Sequence, residues 1–263
     1  MMTKFYKYSS NGNDFIVIDN RDNKQDVANQ ALWERLCRRC FGIGADGVVF
    51  LEASKRHDFH MRYLNADGTE ESMCGNATRA ITHFYKTITN SANADFEFST
   101  KNGVYTSCVD GDVIWVHMTE IRDVDLIDVS GKYSEAIDSY YVNTGVEHCV
   151  YYTFNCQDID VAQVGRNIRY ESEFVNGTNV NFTHKIDEGE YRIRTYERGV
   201  EEETFACGTG NVAAACMLWD KGIETREEIE FQTNGGILFV KKIDGLIYLG
   251  GQTVQVYSGE FND

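Results

Sequence analysis

Two cysteines that are each followed directly by glycine have the spacing and residue types for proton transfer. Cys74 precedes Gly75, and Cys207 precedes Gly208. The segment after each pair is apolar and contains alanines, so each cysteine is predicted to stand at the N-terminus of a helix. Backbone N–H groups and the macrodipole at a helix start stabilise a thiolate and lower the thiol pKa. Both thiols are therefore candidate acid–base groups.

The two Cys-Gly pairs lie in an internal repeat. FHMRYLNADGTEESMCGNATRAITHFY contains the first pair, and YRIRTYERGVEEETFACGTGNVAAACML contains the second. Both copies predict a strand, then an acidic turn with Gly68 or Gly199, then the cysteine and a helix. The cysteines are 133 positions apart, while Asp14 and His148, in SSNGNDFIVID and NTGVEHCVYY, are 134 apart. Two pairs at nearly one offset indicate two similar lobes.

One thiol in each of two similar lobes suits the inversion of a single carbon. A thiolate on one side removes an α-proton while a thiol on the other side donates one. Backbone amides at Gly75 and Gly208 would cradle the substrate carboxylate and stabilise the negative charge that grows during deprotonation. The sequence therefore predicts an amino-acid racemase or epimerase that uses Cys74 and Cys207 in a cleft between the lobes.

Composition restricts the partners. The chain of 263 residues has a net charge of −16, which argues against binding to nucleic acid or to anionic membranes. No signal peptide and no stretch of about 18 apolar residues is visible, so we expect a cytoplasmic protein. We expect a small amino-acid substrate as partner, with a homodimer as a further possibility.

The order of the predicted elements follows the two-lobe plan. The N-terminal lobe is expected to cover 1–118, with 252–263 returning to it, and the C-terminal lobe to cover 119–251. We predict a helix over 26–40 and a hairpin over 96–118 around Asp110-Gly111. Short strands are predicted over 225–257, with turns at Asn234-Gly235-Gly236 and Asp244-Gly245.

The chain contains no proline. The average usage of about 5% predicts about 13 in a chain of this length. This absence leads to the hypothesis that proline was removed by design.

Several separate blocks resemble the diaminopimelate epimerases, and together they span nearly the whole chain. They are NGNDF (11–15), GIGADG (42–47), NADGTE (65–70), MCGN (73–76), GTNVNF (177–182) and YERGVEEETFACGTG (196–210). The resemblance implies an α/β (α+β) fold of two pseudo-symmetric lobes, each a mostly antiparallel sheet wrapped around a central helix. It implies interconversion of LL- and meso-2,6-diaminopimelate, for lysine and peptidoglycan precursors, without metal or pyridoxal phosphate.

The resemblance also assigns roles to individual residues. Cys74 and Cys207 would be the acid–base pair. The α-carboxylate would be held by Gly75, Asn76, Gly208 and Thr209. The distal end of the substrate would be read by Asn13, Asn65, Asn179 and Arg198. Glu197 would contribute to substrate binding and, with His148, to tuning the cysteine pKa values.

Four positions depart from the family pattern. Ala77 stands in place of a glycine, so its methyl group is expected to tighten the pocket or shift the helix start. Glu147 stands in place of a proline, and its carboxylate is expected to raise the pKa of His148. Asn234 and Gln252 also occupy positions where proline is common. We expect the fold to survive, with reduced activity.

Three other functions are compatible with the sequence. A racemase of the same fold could act on proline, hydroxyproline or histidine. A thiol-redox or zinc protein could use Cys37-x-x-Cys40, although this pair is predicted on a helix face and has no second CxxC to complete a zinc site. The chain could also be a folded but inactive scaffold.

Overall fold

The chain divides into two compact units. The computed structural model describes residues 2–71, 73–118, 121 and 127–262. One unit comprises Met1–His117 and Gly251–Asp263, and the other comprises Met118–Gly250. Each unit therefore carries one of the two Cys-Gly pairs.

The elements follow one another in the same order in both halves. The first series is β1 (Met2–Ser10), β2 (Asn13–Asp19), α1 (Gln30–Cys37), β3 (Gly47–Glu52), β4 (Phe59–Asn65), β5 (Glu70–Glu71), α2 (Gly75–Thr89), β6 (Asp95–Thr100), β7 (Gly103–Asp110) and β8 (Val113–Met118). The second series is β9 (Asp138–Asn143), β10 (Glu147–Tyr152), α3 (Val161–Arg169), β11 (Asn179–Asp187), β12 (Glu190–Glu197), β13 (Glu202–Thr204), α4 (Gly208–Asp220), β14 (Glu228–Thr233), β15 (Gly236–Ile243) and β16 (Leu246–Gly251). The strand β17 (Val254–Asn262) follows.

Strand pairing repeats as well. In the first unit β1 and β2 are antiparallel, β2 and β3 are parallel across α1, and β4 and β6 are parallel across α2. In the second unit β9 and β10 are antiparallel, β10 and β11 are parallel across α3, and β12 and β14 are parallel across α4. The repeat predicted from the sequence is therefore a repeat of topology.

A central helix fills the concave side of each sheet. On α2, Ala80, Ile81 and Phe84 are fully buried and pack in one cluster with Phe15 and Val49. On α4 an unbroken run of small residues, Val212 to Ala215, is fully buried among strands of its own unit. A helix that is apolar on all sides belongs inside a core, and the small side chains allow the strands to approach it closely. The predicted sheet wrapped around a central helix is confirmed in both units.

A shorter helix covers the opposite face of each sheet. Trp33 and Leu36 of α1 pack against Ile16, Val48 and Phe50, whose side chains alternate with those that face α2. The same arrangement recurs on α3, where Val161 and Ile168 pack in one cluster with Val180 and Phe182. Burial on both faces explains why β2 and β3 are almost continuously hydrophobic.

Two local predictions are confirmed and one is wrong in its bounds. The hairpin at Asp110-Gly111 joins β7 to β8, and the strands predicted over 225–257 are present. The helix predicted over 26–40 covers only Gln30–Cys37, because the side chain of Asn29 accepts a hydrogen bond from the backbone N–H of Leu32 and caps the helix there. No helix in the described ranges is long and apolar enough to cross a membrane.

Candidate active site

Both cysteines occupy the N-cap position of a central helix. Cys74 precedes α2 with φ −138° and ψ 119°, and Cys207 precedes α4 with φ −113° and ψ 105°. The extended backbone lets each carbonyl accept the first helical hydrogen bond, from Thr78 at 2.8 Å and from Asn211 at 3.0 Å. Neither side chain caps its own helix. Each sulfur therefore lies at the positive end of a helix dipole without being used as a cap.

Equivalent turns lead the chain to these positions. Gly68 follows β4 with φ 77°, and Gly199 follows β12 with φ 91°. Residues with a Cβ rarely adopt such values, so glycine is required for the chain to reverse there. A short strand, β5 or β13, then returns beside the strand just completed and leads to the cysteine.

Amide side chains surround Cys74. The Oδ1 atom of Asn13 accepts a hydrogen bond from Nδ2 of Asn76 at 3.1 Å and lies 4.0 Å from the Cys74 sulfur. Asn13 in turn donates to Oδ2 of Asp46 at 2.8 Å, which fixes which end of its amide faces the helix. Arg79 donates from Nη2 to Oδ1 of Asn76 at 2.8 Å. Asn13, Asn76 and Cys74 are thus held as one polar cluster.

Asn65 lies outside this cluster of hydrogen bonds. It ends β4 and opens the turn that contains Gly68, where its Nδ2 donates to Oγ1 of Thr69 at 3.4 Å. Its backbone carbonyl accepts from the backbone N–H of Gly68 at 2.9 Å. The hydrogen bonds described for Asn65 thus serve its own turn.

A chain of hydrogen bonds leads to Cys207 in the second unit. Nδ2 of Asn181 lies 3.0 Å from Nδ1 of His148, and Nε2 of His148 lies 3.0 Å from Oγ1 of Thr209. Because Asn181 donates to Nδ1, the imidazole proton is on Nε2 and is donated to Thr209. Oγ1 of Thr209 lies 3.5 Å from the Cys207 sulfur. The Thr209 hydroxyl can therefore donate its proton to a Cys207 thiolate.

His148 is neutral, and the prediction that Glu147 raises its pKa is wrong. Burial, together with the nearby charge of Arg198, lowers the pKa of His148 to about 3. The carboxylate of Glu147 is engaged elsewhere, because its Oε2 pairs with Nη1 of Arg198 at 2.9 Å. The imidazole consequently serves as a hydrogen-bond donor with a fixed tautomer.

Glu197 adds an acceptor on the other side of Cys207. Its half-buried carboxylate accepts a hydrogen bond from the Thr204 hydroxyl at 3.0 Å. Burial raises the pKa of Glu197, while hydrogen bonds from Thr204 and from the Cys207 thiol lower it. Cys207 thus has a donor for its thiolate in Thr209 and an acceptor for its thiol in Glu197.

Arg198 and Asn179 form a separate group. The backbone N–H of Arg198 donates to Oδ1 of Asn179 at 2.8 Å, and Nδ2 of Asn179 donates to the backbone carbonyl of Glu147 at 3.2 Å. Nη1 of Arg198 also donates to the backbone carbonyl of Asn176 at 2.8 Å. These bonds position the Arg198 guanidinium in the same unit as Cys207, where it is in contact with the carboxylate of Glu147.

The methyl group of Ala77 does not displace the start of α2. In both units the helix begins at the glycine directly after the cysteine, Gly75 or Gly208. The Ala77 side chain is fully buried in the core cluster of the first unit. The expected shift of the helix start is therefore absent.

Sequence reasoning missed Arg79, Asp46 and Asn181. Arg79 is a charged residue between Ala77 and Ala80 in the buried part of α2, and this irregularity was the signal that could have identified it. Asn181 lies two residues after Asn179 on β11, so the two side chains share one face of the strand. Asp46 belongs to the quoted GIGADG block but carries no local sign of its long-range partner.

The CxxC pair does not form a paired thiol site. The helix ends at Cys37, and Cys40 lies beyond it with φ 68°, so the two do not share a helix face. Burial raises the pKa of Cys37 to about 12, which makes this thiol a poor nucleophile and metal ligand. Within 2–71, 73–118, 121 and 127–262, no three histidine, cysteine or carboxylate side chains are grouped as metal ligands.

Comparisons with known proteins agree with the predicted family. The sequence profile described as "Diaminopimelate epimerase" matches residues 5–122 and 140–259. The chain is 39% identical over 242 residues to a diaminopimelate epimerase of Flavobacterium psychrophilum, with 90% of both chains covered. It is 38% identical over 261 residues to that of Chlorobaculum tepidum, covering 95% of this chain and 98% of the relative.

Solved structures share the fold at lower sequence identity. A phenazine biosynthesis protein of the PhzF family from Bacillus anthracis superposes with a TM-score of 0.76 at 15% identity, over 100% of both chains. A hydroxyproline epimerase from Agrobacterium vitis superposes with a TM-score of 0.63 at 15% identity, over 98% of this chain and 92% of that one. These structures show the shared fold, and the profile match and the identities above 30% show that the chain belongs to the diaminopimelate epimerase family.

Proposed function

We propose that the protein is a cofactor-independent epimerase that interconverts LL- and meso-2,6-diaminopimelate with two cysteines. The observation that carries the proposal is the duplicated half-site, in which a thiol at a helix N-cap is surrounded by polar side chains of its own unit. Cys74 has the amides of Asn13 and Asn76, and Cys207 has Thr209 and Glu197. Such a pair can remove a proton at one cysteine and return one at the other.

The helix starts supply the site for the α-carboxylate. Gly75 and Asn76 on α2, and Gly208 and Thr209 on α4, contribute first-turn backbone amides. Hydrogen bonds from these amides would strengthen as negative charge moves onto the carboxylate in the transition state. This accounts for deprotonation of a weakly acidic carbon without an electron-withdrawing cofactor.

The distal end of the substrate would be bound by Arg198 and the asparagines. A guanidinium forms two parallel hydrogen bonds with a carboxylate, which favours a substrate with a second amino-acid end. Asn65 and Asn179 would complete this subsite. The relatives named above are diaminopimelate epimerases, which supports the same substrate here. We accordingly propose a cytoplasmic role in lysine and peptidoglycan precursor synthesis, and homodimer formation stays a prediction.

Proton NMR in D2O tests the proposal. Reduced protein incubated with LL-diaminopimelate should replace the α-proton with deuterium and generate the meso isomer. Cys74→Ser and Cys207→Ser should each abolish epimerisation, because each direction needs both a base and an acid. Cys216→Ser, which changes a half-buried cysteine later on α4, is the matched control and should remain active.

The outcome also separates the other functions. Exchange with proline, hydroxyproline or histidine, and none with diaminopimelate, would indicate a different racemase of the same fold. A folded protein that exchanges none of these substrates would be an inactive scaffold.

A further inference from the structure

Arg79 is a fully buried cation that the proposed proton transfers do not use. It lies on α2, one turn beyond Cys74, and its exposed fraction is 0%. Burying an ionised guanidinium without a charged partner is costly, so such a residue calls for an explanation.

The hydrogen bonds of Arg79 leave its charge without a carboxylate. Nη2 donates to Oδ1 of Asn11 and Oδ1 of Asn76, both at 2.8 Å. Nε and Nη1 are buried without a hydrogen-bond partner. Among the ion pairs of the described residues, none includes Arg79. The described hydrogen bonds of Arg79 therefore go to two neutral amide oxygens.

A negative charge on the Cys74 sulfur would interact with Arg79. Burial lowers the pKa of Arg79 to about 10, and the charge of Cys74 acts in the opposite direction. Arg79 therefore stays protonated at neutral pH and attracts a thiolate. Through Asn76 it also orients the amide that contacts Asn13 and, through Asn13, the sulfur.

Two carboxylates described near Cys74 are paired with cations. Asp46, which accepts from Asn13, pairs with Arg39, and Asp14 pairs with Arg39 and Lys7. Tyr63 of β4 faces the thiol, and burial raises its pKa well above the ordinary value, so the phenol is neutral. Glu71 of β5 faces that phenol and is exposed to solvent, which weakens its field. Among these described groups, Arg79 is the buried cation without a carboxylate partner.

The second unit has the opposite charge beside its thiol. The residue at the offset of 133 from Arg79 is Val212, which is fully buried in the apolar core. One ionisable group in contact with Cys207 is Glu197, whose carboxylate accepts a hydrogen bond from the thiol. A cation favours the thiolate, and an adjacent carboxylate favours the protonated thiol.

We propose that Arg79 is a positioning residue that makes Cys74 the thiolate, and Cys207 the thiol, of the substrate-free protein. The inference rests on the proposed function, because it assigns starting protonation states to that pair of cysteines. Arg79 acts by its uncompensated charge and by fixing Asn76 and Asn13. In this resting form Cys74 is the base, and the isomer whose α-proton faces Cys74 is the one that reacts directly.

Alkylation rates measured cysteine by cysteine test this assignment without any substrate. The reduced full-length protein is treated with iodoacetamide between pH 5 and pH 10, and peptide mass spectrometry gives the rate at Cys74 and at Cys207. The midpoint of each cysteine is the pH at which its alkylation rate is half-maximal. We expect the midpoint of Cys74 to be lower than that of Cys207. Arg79→Met should raise the Cys74 midpoint by about one pH unit or more and leave the Cys207 midpoint unchanged. Arg79→Lys, which keeps the charge, should retain most of the low midpoint.

The controls separate a charge effect from damage to the fold. Lys86→Met removes a cation from the last turn of the same helix and should move neither midpoint. Equal midpoints in the unmodified protein would overturn the proposal, and so would an unchanged Cys74 midpoint in Arg79→Met. A parallel shift of both midpoints would mean a structural role alone. If Arg79→Met does not fold, the proposal is still tested by the Cys74 midpoint in Arg79→Lys and by the two midpoints of the unmodified protein. A lower Cys74 midpoint in a protein that exchanges no α-proton would support the resting state and contradict the epimerase.

Discussion

At the scale of single residues, the two half-sites reach a similar arrangement with different side chains. Asn76 and Thr209 are both the second residue of a central helix, and each has a side chain near the preceding cysteine. Asn76 is supported by a cation and Thr209 by a neutral imidazole. The duplicated fold therefore places two thiols alike while allowing their acidities to differ.

Replacing Thr209 tests the path from His148 to Cys207. Thr209→Val removes the hydroxyl that lies 3.0 Å from the imidazole and 3.5 Å from the sulfur. Loss of one hydrogen bond to a developing thiolate is worth about 1.5–3 kcal/mol, so we expect kcat to fall by about 10- to 100-fold, with a smaller change in KM. Steady-state rates in both directions measure it. Thr144→Val, which removes a donor to the Thr209 backbone carbonyl only, is the control. An equal loss in both variants would contradict the path.

Replacing Glu147 tests whether a carboxylate of the protein competes with the substrate. Glu147→Gln removes the ion pair with Arg198 but keeps the size of the side chain. A half-buried pair of this kind is worth about 1 kcal/mol, so we expect KM for diaminopimelate to fall about fivefold at similar kcat. Glu203→Gln, which breaks the pair with Arg194, should leave KM unchanged. A raised KM in Glu147→Gln would show that Glu147 orients Arg198 for binding.

The buried imidazole predicts a specific acid sensitivity. The folded-state pKa of His148 is about 3, below the ordinary 6.5, so the unfolded chain binds the proton first as the pH falls. Above about pH 6.5, His148 therefore does not lower the free energy of unfolding. Below that pH it lowers the free energy of unfolding progressively down to about pH 3, by roughly 2 kcal/mol at pH 5. Urea unfolding at pH 8 and pH 5 should show that His148→Asn loses about 2 kcal/mol less than the unmodified protein over this interval. Equal losses would mean that the imidazole is charged in the fold.

At the scale of elements, the two central helices are alike in position but differ in tolerance to a methyl group. Ala77 and Gly210 are equivalent by the offset of 133, and Ala77 is accommodated in the core. A Cβ at Gly210 would lie 2.3 Å from Oδ1 of Asn181. Asn181 would have to move, and it holds the tautomer of His148.

Matched substitutions at these positions should therefore behave differently. We expect Gly210→Ala to lower the free energy of unfolding by about 1–3 kcal/mol and to reduce kcat, because overpacking displaces Asn181. Ala77→Gly should cost about 1–2 kcal/mol, because it loses helix propensity and one buried methyl group, and should leave kcat nearly unchanged. Chemical denaturation and steady-state kinetics on both variants measure this. A Gly210→Ala variant as active as the unmodified protein would contradict the role of Asn181.

The helix starts and the repeated topology could be predicted from the sequence, because local signals specify them. Glycine after each cysteine, the acidic turns and the Asp110-Gly111 hairpin all act within a few residues. The helix predicted over 26–40 was too long because Asn29 competes for the backbone as a cap. The partner of Glu147 and the contact between Asn13 and Asp46 could not be predicted, since both depend on side chains of distant segments that meet only in the folded chain.

At the scale of the whole molecule, the strand that closes the first unit comes from the far end of the sequence. β17 pairs antiparallel with β1, with Met2 opposite Asn262, whereas the second unit is a continuous stretch, Met118–Gly250. Pairing residues that are so far apart in sequence requires a large loop-closure entropy and slows folding. We expect pulsed hydrogen exchange during refolding to protect amides of β10 and β11 before those of β1. Simultaneous protection would mean that the units fold as one.

This connectivity has a consequence for synthesis on the ribosome. The residues around Cys207 are complete in sequence before β17 has been made, whereas the first strand of the sheet around Cys74 still lacks β17, one of its two partners. Most of the first unit therefore leaves the exit tunnel before the second, but the sheet of the second unit can be completed first. A nascent chain could complete the second sheet before the first, so we expect the proposed two-thiol reaction to begin only after translation has delivered β17.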